Sequence, residues 1–115
     1  MHGYKKLIVW QKSVELVVEI YRITEHFPKS EMYGLTNQMR RASVSVPSNI
    51  AEGYRRKGKN EFNRFLPISY GSGAELETQI EIAKALRFVE LKEYLKADMI
   101  LDEIMRMLNK MLETK

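Results

Sequence analysis

The chain has 115 residues, the length of one ordinary domain, and its 44% hydrophobic and 30% charged residues are typical of a globular protein rather than a disordered one. Cysteine is absent, which excludes disulfides, thiolate metal sites and cysteine nucleophiles. No apolar run approaches the roughly 20 residues of a membrane span or the roughly seven of a signal peptide, so we expect a cytoplasmic protein without membrane contact.

Apolar residues recur at helical spacing in four segments, two of which lie in the first half of the chain. The first begins near Trp10 and stops before Pro28, since a residue that precedes proline avoids the helical conformation. The second starts at Leu35, and Pro47 inside it predicts a kink or a short break because proline removes a backbone hydrogen bond. The stretch 53–58, which begins and ends with glycine, closes this second segment.

The third segment carries apolar residues at helical spacing from Phe62 towards Arg87. Pro67 predicts a bend in its first turns. Gly71 and Gly73 weaken a helix, and their presence predicts close approach of a neighbouring helix.

The fourth segment begins near Tyr94, after a break at 89–92 that neither glycine nor proline marks. Short connections between four helices predict an all-α, up-down-up-down antiparallel four-helix bundle that occupies residues 1–115 as a single domain. The apolar stripes of the four helices predict a buried core that contains Trp10, Tyr21, Leu66, Leu76, Ile80, Leu101, Ile104 and Leu108.

The net charge of +4 is concentrated in one part of the sequence. From residue 40 to residue 64 there are seven basic residues against Glu52 and Glu61, a net charge of +5, and the rest of the chain sums to −1. This clustering indicates a basic patch that binds phosphates, or alternatively a solvated helix end and loop. The candidate nucleic-acid-binding residues are Arg40, Arg41, Arg55, Arg56, Lys57, Lys59 and Arg64.

The last five of these cations are expected to converge at one end of the bundle, because they occupy a helix end, the following loop and the start of the next helix. Arg40 and Arg41 point to opposite flanks of the core stripe on the second helix, and the alternative for at least one of them is an ion pair with an acid such as Glu75 or Glu77. Tyr54 is a candidate for stacking on a base, or alternatively a core or interface aromatic.

The second helix also carries small and apolar residues on the side opposite its core stripe. Val44, Ser48 and Ala51 occupy that side, where lysine, glutamate or glutamine is usual. They predict a subunit interface, although single exposed apolar residues are also ordinary.

Residues that carry catalysis are scarce. The only histidines are His2 and His26, and His26 at the end of the first helix suits an interaction with the helix dipole. The Glu-x-x-His pairs of a di-iron bundle do not occur, and Gly71-Ser72-Gly73 lacks the lysine and the preceding strand of a phosphate-binding loop. We therefore expect no enzyme, no cofactor and no metal.

The run from Leu35 to Gly53, which contains Ser-Val-Pro-Ser-Asn-Ile-Ala-Glu-Gly, resembles the signature of a bacterial four-helix-bundle family. Its members were first noted as proteins encoded by intervening sequences of large-subunit ribosomal RNA genes. Further blocks that match are Trp10-Gln11-Lys12, Glu61-Phe62-Asn63-Arg64-Phe65-Leu66, Gly71-Ser72 and Ala74-Glu75-Leu76-Glu77-Thr78-Gln79. Gly73 replaces a larger apolar residue of the family, and Pro67 replaces a small one.

The resemblance implies a four-helix bundle that assembles into ring-shaped homopentamers. Through the related accessory variability protein of diversity-generating retroelements, it also implies nucleic-acid binding and a reverse transcriptase as a partner. We therefore predict a non-catalytic homo-oligomer that binds RNA or DNA through phosphate contacts. The alternative is a protein–protein interaction scaffold, in which the basic stretch docks an acidic protein partner or keeps the oligomer soluble.

Overall fold

The computed structural model describes residues 3–113 and confirms the all-α fold class. Its four α-helices are α1 (Ile8–Thr24), α2 (Leu35–Arg55), α3 (Lys59–Leu86) and α4 (Leu95–Glu113), and short 3-10 turns occupy Gly3–Lys6, Lys29–Glu31 and Leu91–Tyr94. Each helix packs against the next, and α1 also packs against α4, which makes an up-down-up-down antiparallel four-helix bundle. The 28 residues of α3 span about 42 Å at helical rise, close to the 43 Å long dimension of the molecule.

The interior of the bundle contains most of the predicted core. Trp10 is only partly buried at the edge of the core, and the prediction for Tyr21 is wrong because 43% of this residue is exposed. Tyr21 lies 100° around α1 from the fully buried Ile20, which places it on the flank of the helix rather than in the core. The predicted residues that are fully buried are Leu66, Leu76, Ile80, Leu101, Ile104 and Leu108.

Pro47 and Pro67 both lie inside continuous helices. Helix α2 runs through Pro47, so the predicted short break does not occur, and α3 runs through Pro67. A proline in a helix interior costs about 3 kcal/mol. The extensive packing of α2 against α3 outweighs this local cost.

Glycines mark where helices approach each other. A Cβ atom on Gly73 would overlap the Met105 sulfur, so this glycine makes room for a long side chain of α4. The prediction of close helix approach is wrong for Gly71, which is exposed and has open space where a Cβ atom would lie. Gly53 lies within α2, and a Cβ atom there would come 2.9 Å from the Cβ of Phe65 in α3.

Helix α3 ends without a glycine. Arg87 adopts the left-handed conformation with φ of 59°, and the Phe88 N–H reaches back to the carbonyl of Ala83 at 3.4 Å. This is the geometry that glycine usually provides at a helix end. The break predicted at 89–92 is present, because α4 begins only at Leu95. Within residues 3–113, no helix combines the length and the apolarity that a bilayer crossing requires.

Candidate nucleic-acid interface

The turn between α2 and α3 carries most of the predicted cations. Helix α2 ends at Arg55 and α3 begins at Lys59, so only three residues connect them. Lys57 and Gly58 have positive φ angles of 51° and 125°, which allows the chain to reverse in so few residues. The side chains of Lys57 and Lys59 are exposed and make neither an ion pair nor a hydrogen bond within the described residues. They are therefore available to an anionic ligand.

Arg56 and Arg64 at the same turn form ion pairs that water screens. The Arg56 Nε lies 3.7 Å from a Glu52 oxygen, and an Arg64 Nη nitrogen lies 3.5 Å from a Glu61 oxygen. Arg56 also lies over the ring of Phe65, with its Cζ 5.4 Å from the ring centroid. Exposed pairs of this kind are worth about 0–1 kcal/mol, so a phosphate competes for both guanidinium groups at little cost.

The 3-10 turn at Gly3–Lys6 adds two further cations to this end of the bundle. Tyr4 packs edge to face on Trp10, with 5.2 Å between the ring centroids, and the Arg55 guanidinium lies 5.7 Å from the Tyr4 centroid. Lys5 and Lys6 are exposed, and their side chains have no ion pair among residues 3–113. The sequence analysis missed them. The available signal was a Lys-Lys pair before the first helix, since in an antiparallel bundle that helix begins where the second one ends.

The seven cations at this end form one candidate site, which we call the basal cluster. Its acidic members are Glu52 and Glu61, each already paired with an arginine. The basal cluster consists of Lys5, Lys6, Arg55, Arg56, Lys57, Lys59 and Arg64.

Arg40 lies outside the basal cluster and is engaged within the protein. Its Cζ lies 4.5 Å from the ring centroid of Tyr21 in α1. Its Nε donates a hydrogen bond to Thr24 Oγ1 at 2.9 Å, and an Nη nitrogen lies 3.6 Å from a Glu25 oxygen. These contacts attach the first turns of α2 to the end of α1.

Arg41 is exposed and has no ion pair within residues 3–113. It precedes Arg55 by 14 residues on the same helix, a distance of about 21 Å. The structure therefore separates Arg40 and Arg41 from the other predicted cations. Arg40 makes the predicted ion pair with an acid, but its partner is Glu25 at the end of α1 rather than Glu75 or Glu77.

The predicted interface residues lie on the flank of α2 that faces outward beside α1. Val44 is 39% exposed, Ser48 is exposed and Ala51 is partly buried. Val44, Arg41 and Tyr21 line one open groove, so Tyr21 belongs to this flank. Nothing in a single chain shows what covers the flank, and the interface stays a prediction.

Tyr54 packs against the next helix. It is partly buried, and its ring meets the ring of Phe62 edge to face with 6.1 Å between centroids. A Cβ atom added to Gly3 would lie 3.9 Å from the Tyr54 ring, so Gly3 borders this aromatic side chain. This environment agrees with the alternative that the sequence left open, a packed aromatic rather than a base-stacking residue.

An acidic groove between α3 and α4 gives the molecule a second, opposite charge. Glu77, Glu81, Asp98 and Asp102 line it, and Lys84 bridges two of them, with its Nζ 2.7 Å from Asp98 and 3.2 Å from Glu81. Burial and the neighbouring Asp102 raise the pKa of Glu77. Across residues 3–113, no carboxylate or histidine group is arranged to hold a metal ion. A polyanion is repelled from this groove and attracted to the basal cluster.

His26 lies outside the basal cluster. His26 follows Glu25, the C-cap of α1, and its exposed imidazole makes no hydrogen bond within the described part of the chain. His2 lies outside the described residues.

Comparison with known proteins gives a family and a fold. A model of the 23S rRNA-intervening sequence protein family matches residues 5–110. The crystal structure of a protein of unknown function from the S23 ribosomal protein family of Bacteroides thetaiotaomicron VPI-5482 is similar, with a TM-score of 0.83. The two sequences are 20% identical, and the match covers 92% of this chain and 96% of that one, so the likeness supports the fold alone. No curated protein matches this sequence.

Proposed function

The chain belongs to the 23S rRNA-intervening sequence protein family, and we propose that it is a non-catalytic, homo-oligomeric RNA-binding protein whose basal cluster contacts phosphates. The observation that carries this proposal is the convergence of seven exposed cations from three segments of the chain on one end of the bundle. Exposed ion pairs add little to stability, so folding alone gives no reason for this concentration of charge.

The basal cluster is suited to phosphates rather than to base edges. Lysine and arginine that neutralise phosphates release condensed counterions, which gives affinity that falls steeply with salt and depends little on sequence. The unpaired members, among them Lys57 in the turn and Lys59 at the start of α3, give up no internal contact when they bind. Within residues 3–113 the Arg55 side chain lies near the ring of Tyr4 and makes no ion pair or hydrogen bond, so its donors are available to a phosphate oxygen.

Assembly is the second half of the proposal. Val14, Val18 and Tyr21 on α1 are exposed apolar residues, as is Val44 on α2. Tyr21 and Val44 border the same groove, whose other lining residues are polar, so exposed apolar side chains of the two helices lie beside each other on one flank. A second copy of the chain is the occupant we propose for it, in agreement with the ring-shaped oligomers that the family resemblance implies.

Oligomerisation would multiply the effect of a modest charge. A ring-shaped oligomer brings several basal clusters to one polyanion. Its overall binding constant can then exceed that of a single site by a factor of about 10²–10⁴. A reverse transcriptase as a further partner stays a prediction from the resemblance.

The proposal is tested with fluorescence anisotropy of a labelled RNA of generic sequence. The test variant carries Arg55→Gln, Lys57→Asn and Lys59→Gln, where asparagine is chosen because it tolerates the left-handed conformation of residue 57. The control removes the same charge from the opposite end of the bundle by Lys29→Gln, Lys92→Gln and Lys96→Gln, three exposed lysines.

We expect the test variant to bind RNA at least about tenfold more weakly and the control to bind like the wild type. Equal weakening in both variants would mean that total charge, not the basal cluster, governs binding. Absence of RNA binding by the wild type would overturn the proposal in favour of the scaffold, in which the same cations dock an acidic protein.

A further inference from the structure

The aromatic rings of the basal end are already occupied. Tyr4 packs on Trp10 and lies under Arg55, while Tyr54 packs on Phe62. Each of these four aromatic residues is partly buried. None of the four therefore presents a free ring face of the kind on which an unpaired base stacks.

A fifth aromatic ring that the described residues place at this end is also covered. Phe65 is partly buried, and the Arg56 guanidinium lies over its ring at 5.4 Å. By contrast Tyr33, which is 94% exposed, sits beside the α1–α2 turn at the opposite end of the bundle. The charge and the exposed aromatic surface of the molecule are thus at different ends.

The separation of the cations from the exposed aromatic surface indicates which type of nucleic acid the basal cluster binds. Proteins that hold single strands combine a basic groove with aromatic side chains, and each stacked base contributes about 1–3 kcal/mol. Double-stranded RNA hides its bases and is recognised by shape and by contacts to phosphates and 2′-hydroxyls. The basal end has the exposed cations that contact the phosphates of double-stranded RNA. It lacks the free aromatic faces on which the bases of a single strand stack.

From these contacts we propose that the ligand of the basal cluster is base-paired RNA rather than single-stranded RNA. The inference rests on the proposed function and narrows its substrate class. Charge density supports it, because a duplex presents two phosphates for each step along its axis where a single strand presents one. The cations of the basal cluster come from a three-residue turn and from the segments that flank it in space. Their close spacing suits the closely spaced phosphates of a duplex.

The test compares two RNA ligands with the same number of phosphates, so that total charge cannot explain a difference. One is a 20-base-pair duplex, and the other is a 40-nucleotide strand without self-complementarity. Both compete against one labelled duplex for the wild-type protein at about physiological salt, close to 0.15 M.

We expect the duplex to displace the labelled RNA at about a tenfold lower concentration than the single strand does. The Tyr33→Ser variant should give the same two competitor concentrations as the wild type. Equal competition, or stronger competition by the single strand, would overturn the inference while the proposed function stands. If neither RNA competes and the labelled duplex itself does not bind, the proposed function fails and this inference falls with it.

Discussion

Ser69 of α3 donates its hydroxyl hydrogen to the carbonyl oxygen of Val46 in α2, and the 2.8 Å bond is buried between the two helices. Val46 immediately precedes Pro47, so this contact fixes α3 against α2 where the ordinary helical hydrogen-bond pattern is interrupted. The two helices are thereby held together close to the middle of α2. Their relative position determines where the turn that follows α2, with Lys57 at its centre, is placed.

Two neighbouring contacts involve the same stretch of sequence. The hydroxyl groups of Ser45 and Ser72 lie 2.7 Å apart across the two helices. Asn49 donates from its side-chain amide to the carbonyl of Ser45 at 2.8 Å. Ser45 of the Ser-Val-Pro-Ser-Asn run thus joins α2 to α3, and Asn49 of the same run holds Ser45 from within α2.

Replacement of Ser69 by alanine tests the first of these contacts. The Ser69→Ala variant removes one buried hydrogen bond, and we expect the free energy of unfolding to fall by about 1 kcal/mol. Thr78→Ala is the control, because the Thr78 hydroxyl bonds only to the carbonyl of Ala74 in its own helix and is exposed. Urea denaturation measures the free energy of unfolding of both variants. Equal stability of Ser69→Ala and the wild type would show that the contact contributes nothing to the packing of α2 on α3.

Two glycines should respond to alanine in opposite directions. At Gly53 a Cβ would come 2.9 Å from Phe65, so Gly53→Ala should force α2 and α3 apart and cost about 1–3 kcal/mol. Gly71 has nothing within 4 Å of a Cβ, so Gly71→Ala should stabilise α3 by about 0.5–1 kcal/mol. Thermal unfolding followed by circular dichroism distinguishes the two. A stabilising Gly53→Ala would contradict the close approach of the helices.

Arg87 ends α3 in a conformation that suits glycine. The left-handed backbone costs an L-residue about 1–2 kcal/mol, and glycine avoids this cost but loses more chain entropy on folding. We expect Arg87→Gly to stabilise the protein by about 0.5–1 kcal/mol in chemical denaturation. Arg87→Ala, which keeps the left-handed backbone strain and removes the same charge, should give no gain. If the two variants are equally stable, the conformation of residue 87 carries no strain.

The apolar pattern of the sequence predicts the bundle well because burial of a stripe depends on helical spacing alone. The same reasoning fails for Tyr21, since a residue at the margin of a stripe is packed or exposed according to its neighbour, here Arg40. It also leaves the end of α3 without a marker, because Arg87 takes the place of a glycine.

The basal cluster was only partly predictable for a related reason. The cations around residues 55–59 are close in sequence, and their convergence follows from a short turn. Lys5 and Lys6 are distant from them in sequence, and contacts such as that of Arg55 with the Tyr4 ring bring this segment to the end of α2. Arg40 is close in sequence to none of them, and it binds instead to the end of α1.

Assembly through the apolar flank is tested by a charge placed on it. Val44→Glu should dissociate the oligomer into smaller species, because a carboxylate buried in an apolar contact without a partner is strongly unfavourable. Ile82→Glu, at a similarly exposed apolar position on α3, should leave the assembly unchanged. Sedimentation velocity at micromolar concentration reports the outcome. A wild-type protein that sediments as a monomer would contradict the proposed interface.

The salt dependence of RNA binding tests the account most directly. The logarithm of the binding constant is measured against the logarithm of salt concentration, for the wild type and for the variant with Arg55→Gln, Lys57→Asn and Lys59→Gln. Each lost phosphate contact reduces the slope by about 0.7–0.9, so we expect the variant's slope to be shallower by about 2–3 for each basal cluster engaged. Identical slopes for the two proteins, or wild-type binding that does not change with salt, would contradict phosphate recognition by the basal cluster.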